Sequence, residues 1–376
     1  MRRLVTLRTV SALEPIEGAD KIELAHIDGW QCVVKKGEFH VGQQGLYFEI
    51  DSFIPVTEEP FTFLQPRAVN WNGKYGARIK TMKLRGALSQ GLLMPKDLFP
   101  NLRFHKWGEK DYASDLGVVK WEREDADGKP KQQTSTWLGR KIKKLKHTRI
   151  KPFVLWLEKT FPSWFLTNAT RPFPSFIPKT DEERIQNLYH KLTDEHKAKL
   201  MHWSVKLDGS SMTVYYNRGK FGVCSRNLDL KKDPENKFWA TALWYEMDKG
   251  LKKLGRNIAI QGELMGPGIQ GNREKLIGYM YYVYGIWDID EKRYLAIDER
   301  AELLGQLHVL HDCNLTEVPT VGYRQVNEFK DLDEILAFAE GPSLHADTRE
   351  GVVATYIDGT KGFKVISNTF LLEKGE

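Results

Sequence analysis

The sequence predicts an α+β protein of two domains: a small all-β unit, then a larger domain of antiparallel sheets with flanking helices. Three observations lead to this expectation. The chain has 376 residues, more than one hydrophobic core usually serves. Its first third consists of short alternating segments divided by glycine, Asp-Gly and proline signals. The remainder mixes strand-like and helical pieces without a regular strand–helix alternation, which favours antiparallel sheets.

Residues 1–125 contain the alternating segments and are expected to form a β-barrel. These segments read KIELAHIDGWQCVV, QGLYFEIDSFIP and ARIKTMKLRGALSQGLLMP. A basic connector is expected over residues 126–165, since no acidic residue occurs between Gly128 and Leu157. Lys143, Lys144 and Lys146 of this connector are candidates for contacting nucleic-acid phosphates. A solvated surface linker explains such a run of charge equally well.

Residues 166–376 are expected to form the second domain. Thr180 and Glu183 have the spacing of a capping box and predict that a helix starts beside them. Strands are predicted for HWSVKLDG, SMTVYYN, FGVCSRN, IAIQGELM, YMYYVYGIWDI, GVVATYI and GFKVIS. Helices are predicted for NKFWATALWYEMDKGLKKL, DERAELLGQLHVL and DLDEILAFAEG.

Composition excludes several classes of protein. The formal net charge of +6 and the pI of about 8.9 fit a polyanionic partner. Cys32, Cys224 and Cys313 are too far apart for a zinc module or a disulfide framework, which predicts a reducing, cytoplasmic setting. No apolar run approaches the ~20 residues of a membrane span, and no P-loop motif occurs.

Lys206 is the first candidate for chemistry, in the stretch SVKLDGSSMTVYYNRGKFGVCSRN. A plain β-hairpin explains it locally, because Asp208-Gly209 is a favoured turn between two alternating strands. The functional alternative is a nucleophilic amine, which needs a pKa lowered by burial or by nearby cations. Lysines elsewhere in the chain are candidates for that effect.

Four further stretches supply partners for such a lysine. Arg226 in SRN has a guanidinium suited to a phosphate, or is a surface residue at the end of a strand. Glu263 in IAIQGELMGPG and Glu350 in REGVVATY are carboxylates at strand ends, where solvated caps are also common. Lys361 and Lys364 lie in the predicted strand KGFKVIS and are surface residues by default.

The order of these motifs resembles the covalent nucleotidyltransferase superfamily, which comprises ATP-dependent RNA and DNA ligases and mRNA capping enzymes. The match covers about residues 177–367. The resemblance implies that Lys206 attacks the α-phosphorus of ATP to give a lysyl-AMP. It implies that Lys364 neutralises the α-phosphate and helps to keep Lys206 unprotonated. Glu263 and Glu350 are implied to bind the ribose and a divalent metal, Mg²⁺ or Mn²⁺.

The same resemblance implies the rest of the nucleotide site. Arg226 is at a position that contacts the ribose or a phosphate, and Trp287 in VYGIWDI is at the position that stacks on adenine, with a core tryptophan as the alternative. The remaining implied contacts come from Leu207, Asp208, Gly209 and Lys361. Two positions depart from the usual patterns: Ser211 stands where DNA ligases have arginine, and Ile366 stands where a second lysine is usual.

The N-terminal segments are similar to the N-terminal OB-like domain of the Deinococcus-type RNA ligases, the fifth RNA-ligase family. This resemblance implies an ATP-dependent RNA ligase that acts as a monomer on RNA or on nicked RNA/DNA duplexes. The N-terminal domain and the connector are then expected to serve the nucleic-acid steps rather than the nucleotide step. The alternatives are a capping-type guanylyltransferase that prefers GTP, and a non-catalytic RNA-binding protein.

Overall fold

The structure is a computed structural model that describes residues 2–105, 110–121, 152, 153, 156 and 171–374. The connector lysines Lys143, Lys144 and Lys146 lie outside the described residues. Both ends of the expected connector, residues 126–165, also lie outside them.

The N-terminal domain is a curled half-barrel of short antiparallel strands. Its strands are β1 (Val5–Pro15), β2 (Ile22–Ile27), β3 (Trp30–Lys35), β4 (Gln44–Phe48), β5 (Ser52–Pro55), β6 (Val69–Trp71), β7 (Lys74–Arg78), β8 (Thr81–Leu84), β9 (Ala87–Gln90), β10 (Leu92–Pro95) and β11 (Val119–Lys120). They form sheets of order β10-β4-β1-β2-β3 and β11-β5-β7-β6, and the hairpin β8-β9. Short 3₁₀ helices span Thr62–Arg67 and Lys96–Leu98.

The long strand β1 gives this sheet its curl. Its first half, Val5 to Thr9, pairs with β4, while its second half pairs with β2 after a bulge between Val10 and Ala12. A bulge of this kind bends a strand and increases its twist, so one strand can serve two sides of a barrel. Apolar residues that include Val5, Phe48 and Ile54 fill the interior.

The second domain contains two sheets and seven α-helices among the described residues. The strands are β12 (Arg171–Pro172), β13 (Glu183–Arg184), β14 (Met201–Lys206), β15 (Ser210–Asn217), β16 (Lys220–Cys224), β17 (Leu228–Leu230), β18 (Ile258–Met265), β19 (Met280–Asp288), β20 (Arg293–Tyr294), β21 (Thr316–Glu317), β22 (Thr320–Arg324), β23 (Gly351–Tyr356) and β24 (Lys361–Ile366). The helices are α1 (Ile185–Leu188), α2 (Asp194–Lys197), α3 (Lys237–Trp244), α4 (Met247–Leu254), α5 (Ile297–His311), α6 (Leu332–Phe338) and α7 (Asn368–Lys374). Further 3₁₀ turns span Tyr189–Lys191 and Val326–Glu328.

The two sheets of this domain meet at the turn that follows Lys206, which is not the β-hairpin that the local sequence suggests, because the strands on either side of the turn pair with other strands. The first has the order β12-β17-β16-β15-β18-β19-β20, with β21 paired to β19, and the second has the order β13-β24-β23-β14-β22. Strands β14 and β15 are consecutive but belong to different sheets, so the turn at Asp208 and Gly209 joins them. The predicted α+β class with antiparallel sheets is confirmed, with parallel pairing only at β13–β24 and β19–β21 among the described strands.

The predicted capping box at Thr180 and Glu183 is wrong. Helix α1 begins at Ile185, and the Glu183 side chain accepts hydrogen bonds from the Arg184 amide and from Asn187. The Thr180 hydroxyl is instead 3.0 Å from the Tyr284 hydroxyl. The Thr180 hydroxyl contacts a residue far away in the sequence and therefore does not cap the helix.

The two domains share a buried interface. The indole of Trp30 donates to Asn187 across it at 2.9 Å, and Gln90 donates to Asn368 at 2.9 Å. Phe370 and Leu371 of α7 are buried in a cluster whose other members are mostly residues of the N-terminal domain. Helix α7 thus belongs to the second domain by sequence but helps to complete the core of the first.

Two expectations about the whole chain can be compared with this fold. The three cysteines are free and buried, in agreement with the absence of a predicted disulfide framework. In the part of the chain that the structure describes, no helix has the length and apolar character needed to span a membrane.

Candidate active site

A cavity of about 360 Å³ lies at the junction of the two domains. Both sheets of the second domain reach it where the β14–β15 turn joins them. Of the ten predicted nucleotide-binding residues, nine line this cavity: Lys206, Leu207, Asp208, Gly209, Arg226, Glu263, Glu350, Lys361 and Lys364. Residues that are up to 158 positions apart in sequence (206 to 364) therefore converge on one cleft.

Lys206 and Glu350 form the closest ion pair in the cleft. Lys206 ends β14, and its pairing partner in β23 is Gly351, which places Glu350 at the adjoining strand end. The Lys206 Nζ and Glu350 Oε1 atoms are 2.6 Å apart, and both side chains are largely buried. The two predicted strand-end residues are thus partners rather than separate surface groups.

Glu263 approaches the lysine from the other sheet. It lies on β18, and its Oε1 accepts a hydrogen bond of 3.1 Å from the Gly209 amide. A Cβ atom at position 209 would lie 2.5 Å from the Leu264 carbonyl oxygen and 2.8 Å from Glu263 Cγ. Glycine is therefore required here because the turn packs directly against β18.

The electrostatics of the lysine differ from the expectation. Burial lowers the pKa of Lys206, but the carboxylates of Glu350 and Glu263 outweigh this effect and raise it above its usual value. Burial also raises the pKa of Glu263 to about 8, against the opposing effect of Lys206. The positive charge of Lys364 does not outweigh these two carboxyl groups, and its expected role in keeping Lys206 unprotonated stays a prediction.

Asp181 connects three cations that line the cleft. Its carboxylate is 3.3 Å from Lys364 Nζ, 3.6 Å from Lys120 Nζ and 3.8 Å from Arg226 Nη2. Burial acts to raise the pKa of Asp181, yet the three cations lower it to about 2. In the protein without nucleotide, a carboxylate therefore lies where cations from three chain segments converge.

Two further lysines are held in place at the edge of the cleft. Lys361 donates to the Lys179 carbonyl at 2.7 Å and lies 5.1 Å from the ring centre of Tyr294. Lys374 of α7 reaches Asp208 at 2.6 Å. The Asp of the Lys-x-Asp-Gly motif is thus paired with the last helix of the described chain.

Trp287, the predicted adenine-stacking residue, is not brought to the cavity. Its indole donates to the Phe176 carbonyl at 3.1 Å, and its ring packs edge-on against Tyr294. The aromatic residue of β19 that lines the cavity is Tyr284, three positions earlier. The Tyr284 hydroxyl is 3.1 Å from the hydroxyl of Ser211, which stands where DNA ligases have arginine.

Sequence reasoning missed the contribution of the N-terminal domain to the cleft. Arg2, Asp51, Arg78, Lys120 and Trp121 all line the same cavity as Lys206. Asp51 accepts a 2.6 Å hydrogen bond from Arg78, which lies over the Trp121 ring. These residues carry no motif, and only the domain interface brings them to the site.

The cleft has a donor set that fits a divalent cation. Glu263 and Glu350 are two buried carboxyl groups beside a single amine, and a bound cation would favour the ionised form of both. Among the described residues, no three His, Cys, Asp or Glu side chains are grouped as a metal centre. Phosphates and water would complete the coordination of a cation held by Glu263 and Glu350.

A half-barrel joined to a two-sheet domain, with a lysine between two carboxylates and several cations in one cleft, defines a covalent nucleotidyltransferase. Family models support this class. A model described as an OB-fold domain matches residues 4–96, and the RNA ligase model matches residues 201–366. A search of the curated proteins found no match.

Solved structures of the RNA ligase of Naegleria gruberi are similar to the whole chain. A mutant with ATP and Mn is 40% identical, with 99% of each chain covered and a TM-score of 0.82. A second mutant, with AMP and Mn, is 40% identical with the same coverage and a TM-score of 0.83. A third structure, with PPi, is 40% identical over 100% of this chain and 99% of that chain, with a TM-score of 0.82. The present chain belongs to the RNA ligase family and has an N-terminal OB domain.

Proposed function

We propose that this protein is an ATP-dependent RNA ligase that joins a 3′-OH RNA end to a 5′-phosphate through a lysyl-AMP formed on Lys206. The observation that carries the proposal is the convergence of Lys206, Glu263, Glu350 and Lys364 in one cleft. A binding module has no need of this set. Crystals of the Naegleria relative with ATP and with AMP, each together with Mn, support the choice of nucleotide and metal.

The first step forms a bond between Lys206 Nζ and the α-phosphorus of ATP. The bond from that phosphorus to the bridging oxygen of the β-phosphate breaks and pyrophosphate leaves. The protonated amine loses two protons, one of them to solvent, and the phosphoramidate nitrogen keeps the third. Because Glu350 lies 2.6 Å from the amine, it is the nearest group that can accept a proton. Lys364 and Arg226 carry positive charge to the same cleft, where it offsets the charge of the phosphates.

The carboxyl groups of Glu350 and Glu263 raise the pKa of Lys206 and so favour its protonated form. A protonated lysine held by Glu350 is a poor nucleophile. Glu263 and Glu350 would hold a Mg²⁺ or Mn²⁺ ion, whose charge would offset both carboxylates and favour the neutral amine. The cavity that contains Lys206 is also lined by Leu207, Asp208, Gly209 and Lys361, which are the remaining residues expected to contact the nucleotide.

The two later steps act on nucleic acid. The 5′-phosphate oxygen attacks the α-phosphorus, the phosphorus–nitrogen bond to Lys206 breaks, and AMP is transferred to the RNA end. The 3′-OH then attacks the 5′-phosphate, AMP leaves, and the strand is joined. We assign residues 1–125 to the OB domain, 126–165 to a basic linker and 166–376 to the nucleotidyltransferase domain. We further propose that the protein is a cytoplasmic monomer and that its substrates are nicked duplexes.

The test is incubation of the full chain with α-labelled ATP, or with α-labelled GTP, in the presence of Mg²⁺ or Mn²⁺. Covalent label from ATP, lost in EDTA, is the expected result, followed by sealing of nicked duplexes with an RNA 3′-OH strand. Label from GTP in preference to ATP would indicate the guanylyltransferase alternative. An unlabelled protein that still binds RNA would indicate a non-catalytic module.

A further inference from the structure

The outer face of the four-stranded sheet in the N-terminal domain carries aromatic and cationic side chains that no step above uses. In the sheet β11-β5-β7-β6, Phe53 is opposite Arg78 and Val119, and Trp71 is opposite Lys74. Residues that are directly opposite point to the same side of a sheet. We call this side the outer face, made of Phe53, Val69, Trp71, Lys74, Arg78, Val119 and Trp121.

The opposite side of the same sheet is the one that packs into the domain core. Ile54 and Ala77 are paired across β5 and β7 and belong to the buried apolar cluster of the half-barrel. Since side chains alternate along a strand, the outer face is not needed to close that core. Its aromatic residues therefore call for another explanation.

The outer face is organised as a row of rings. The ring centres of Phe53 and Trp71 are 5.1 Å apart, and those of Trp71 and Trp121 are 6.3 Å apart. The Arg78 guanidinium lies 3.6 Å from the Trp121 ring centre. Phe53 is buried beneath the row, Trp71 and Trp121 are half-buried, and Val69 is 50% exposed.

Charge on this part of the domain is of one sign along the chain. Residues 60–96 contain no Asp or Glu, and of their seven basic residues Lys74 and Arg78 belong to the outer face, whereas Arg67, Lys80, Lys83, Arg85 and Lys96 lie outside it. Asp51, which holds Arg78, is the carboxylate at the cleft end of the face. Lys74 is exposed at the other end of β7, and its backbone is about 13 Å from that of Arg78 at the usual rise of a strand.

The outer face is continuous with the active-site cleft. Arg78 and Trp121 belong to both, because they also line the cavity that contains Lys206. A polymer whose end lies at Lys206 would therefore leave the cleft along this row of rings. Half-exposed aromatic rings and cations together are the features with which proteins hold single nucleic-acid strands, the rings through bases and the cations through phosphates.

We propose that the outer face holds the RNA strand beside the end that is being joined, with a base against Trp71 and a phosphate near Lys74. This proposal rests on the RNA-ligase function proposed above and gives it a substrate path. RNA is favoured as the occupant over a protein partner because the basic side chains match a polyanion and because the face leads into the cleft.

The test uses the full chain with Trp71→Ala, Trp71→Phe and Lys74→Ala, and measures the affinity for a nicked RNA duplex at several salt concentrations. Trp71→Ala should weaken binding about tenfold, and Trp71→Phe should retain most of the affinity because a ring remains. Lys74→Ala should reduce the log–log salt slope by up to about 0.9. Covalent AMP labelling should stay at the wild-type level, since neither residue lines the cleft.

Matched controls lie on the second domain. Trp244 is 82% exposed on α3 and Lys252 is exposed on α4, so Trp244→Ala and Lys252→Ala remove similar groups elsewhere. Wild-type affinity in a folded Trp71→Ala protein together with an unchanged salt slope in Lys74→Ala would overturn the proposal, as would equal losses in the controls. If Trp71→Ala does not fold, the test is the salt slope of Lys74→Ala, because Lys74 is exposed: a smaller slope supports the proposal and an unchanged slope overturns it. Failure of the wild type to label with AMP would instead count against the function.

Discussion

At the scale of single residues, charged groups in the cleft form ion pairs with one another. Lys206 is held by Glu350, Lys364 is held by Asp181, and Asp208 is held by Lys374. Lys206 and Glu350 both take part in the proposed chemistry, whereas Asp181 and Lys374 are partners to which no step above assigns a role. Nucleotide phosphates and a cation carry the charges that would replace these partners, so binding and activation are linked.

Asp181 offers the clearest test of this idea. We expect Asp181→Asn to tighten binding of ATP about fivefold, because it removes a negative charge that competes with the phosphates for Lys364, Arg226 and Lys120. Removing one charge at the distance of an ion pair, in a partly exposed site, changes the free energy of binding by about 1 kcal/mol. Titration calorimetry in low salt measures the change.

The matched control for this prediction is Asp115→Asn. Asp115 is also paired with a lysine, Lys110, at 2.6 Å, but it does not line the cleft. ATP affinity should be unchanged in this variant. Weaker ATP binding by Asp181→Asn would mean that the carboxylate positions the cations rather than competing for them.

At the scale of elements, β19 carries two aromatic residues in different surroundings, Tyr284 and Trp287, and adenine stacking and core packing were the alternatives for the tryptophan. Trp287 packs on Tyr294 and donates to the Phe176 carbonyl, while Tyr284 faces the cavity. We expect Trp287→Ala to lower the melting temperature but to leave ATP affinity within about twofold of wild type. Thermal unfolding and nucleotide titration on the same samples measure both. A tenfold loss of ATP affinity without loss of stability would restore the stacking role.

Strand β14 carries a histidine whose burial makes stability depend on pH. His202 is buried, with Nε2 2.8 Å from the Thr320 hydroxyl, and burial, followed by the charge of Arg300, lowers its pKa to about 4. The unfolded chain takes up this proton below about pH 6.5, whereas the folded chain does so only near pH 4. This contribution to stability is therefore present above pH 6.5 and is lost as the pH falls from 6.5 to 4.

We expect His202→Gln to flatten the fall in stability between pH 6.5 and 4, by up to about 3 kcal/mol across that interval. Chemical denaturation at four pH values measures it. The control is His40→Gln, which removes a histidine at an exposed position. Parallel curves for wild type and His202→Gln would show that His202 is protonated equally in both states.

At the scale of the whole molecule, the OB domain forms a wall of the nucleotide cleft. That it serves the nucleic-acid steps stays a prediction, and because its residues line the cavity that contains Lys206, we expect it to contribute to the nucleotide step as well. Lys120 lies in the charge network of Asp181, which also contains Lys364. We expect Lys120→Ala to slow formation of lysyl-AMP about tenfold, because one cation facing the phosphates is lost. Quenched-flow labelling measures the rate.

Lys110→Ala is the matched control for Lys120→Ala, because Lys110 belongs to the same domain but pairs with Asp115 away from the cleft. Its rate of labelling should equal that of wild type. If Lys120→Ala forms lysyl-AMP at the wild-type rate but seals nicks more slowly, the OB domain contributes to the nucleic-acid steps alone.

Most of the fold and the central residues of the site were predictable from the sequence. Alternation and turn signals predict sheets, and the ordered motifs predict that Lys206, Glu263 and Glu350 meet. Asp181 and Lys120 were not predictable, because their roles arise from contacts between residues that are far apart in the sequence, which no local pattern records. The failed capping box has the same cause, since Tyr284 lies more than 100 residues from the Thr180 hydroxyl that it contacts.

The central claim is that Lys206 is the residue that becomes covalently bound to AMP. Its most direct test is mass spectrometry of the full chain after reaction with ATP and Mg²⁺, with peptide mapping of the adduct. The account predicts one added AMP, located on Lys206, and no adduct in Lys206→Ala or Lys206→Arg, because a guanidinium stays protonated. An adduct on another residue, or an unchanged yield in Lys206→Arg, would contradict it.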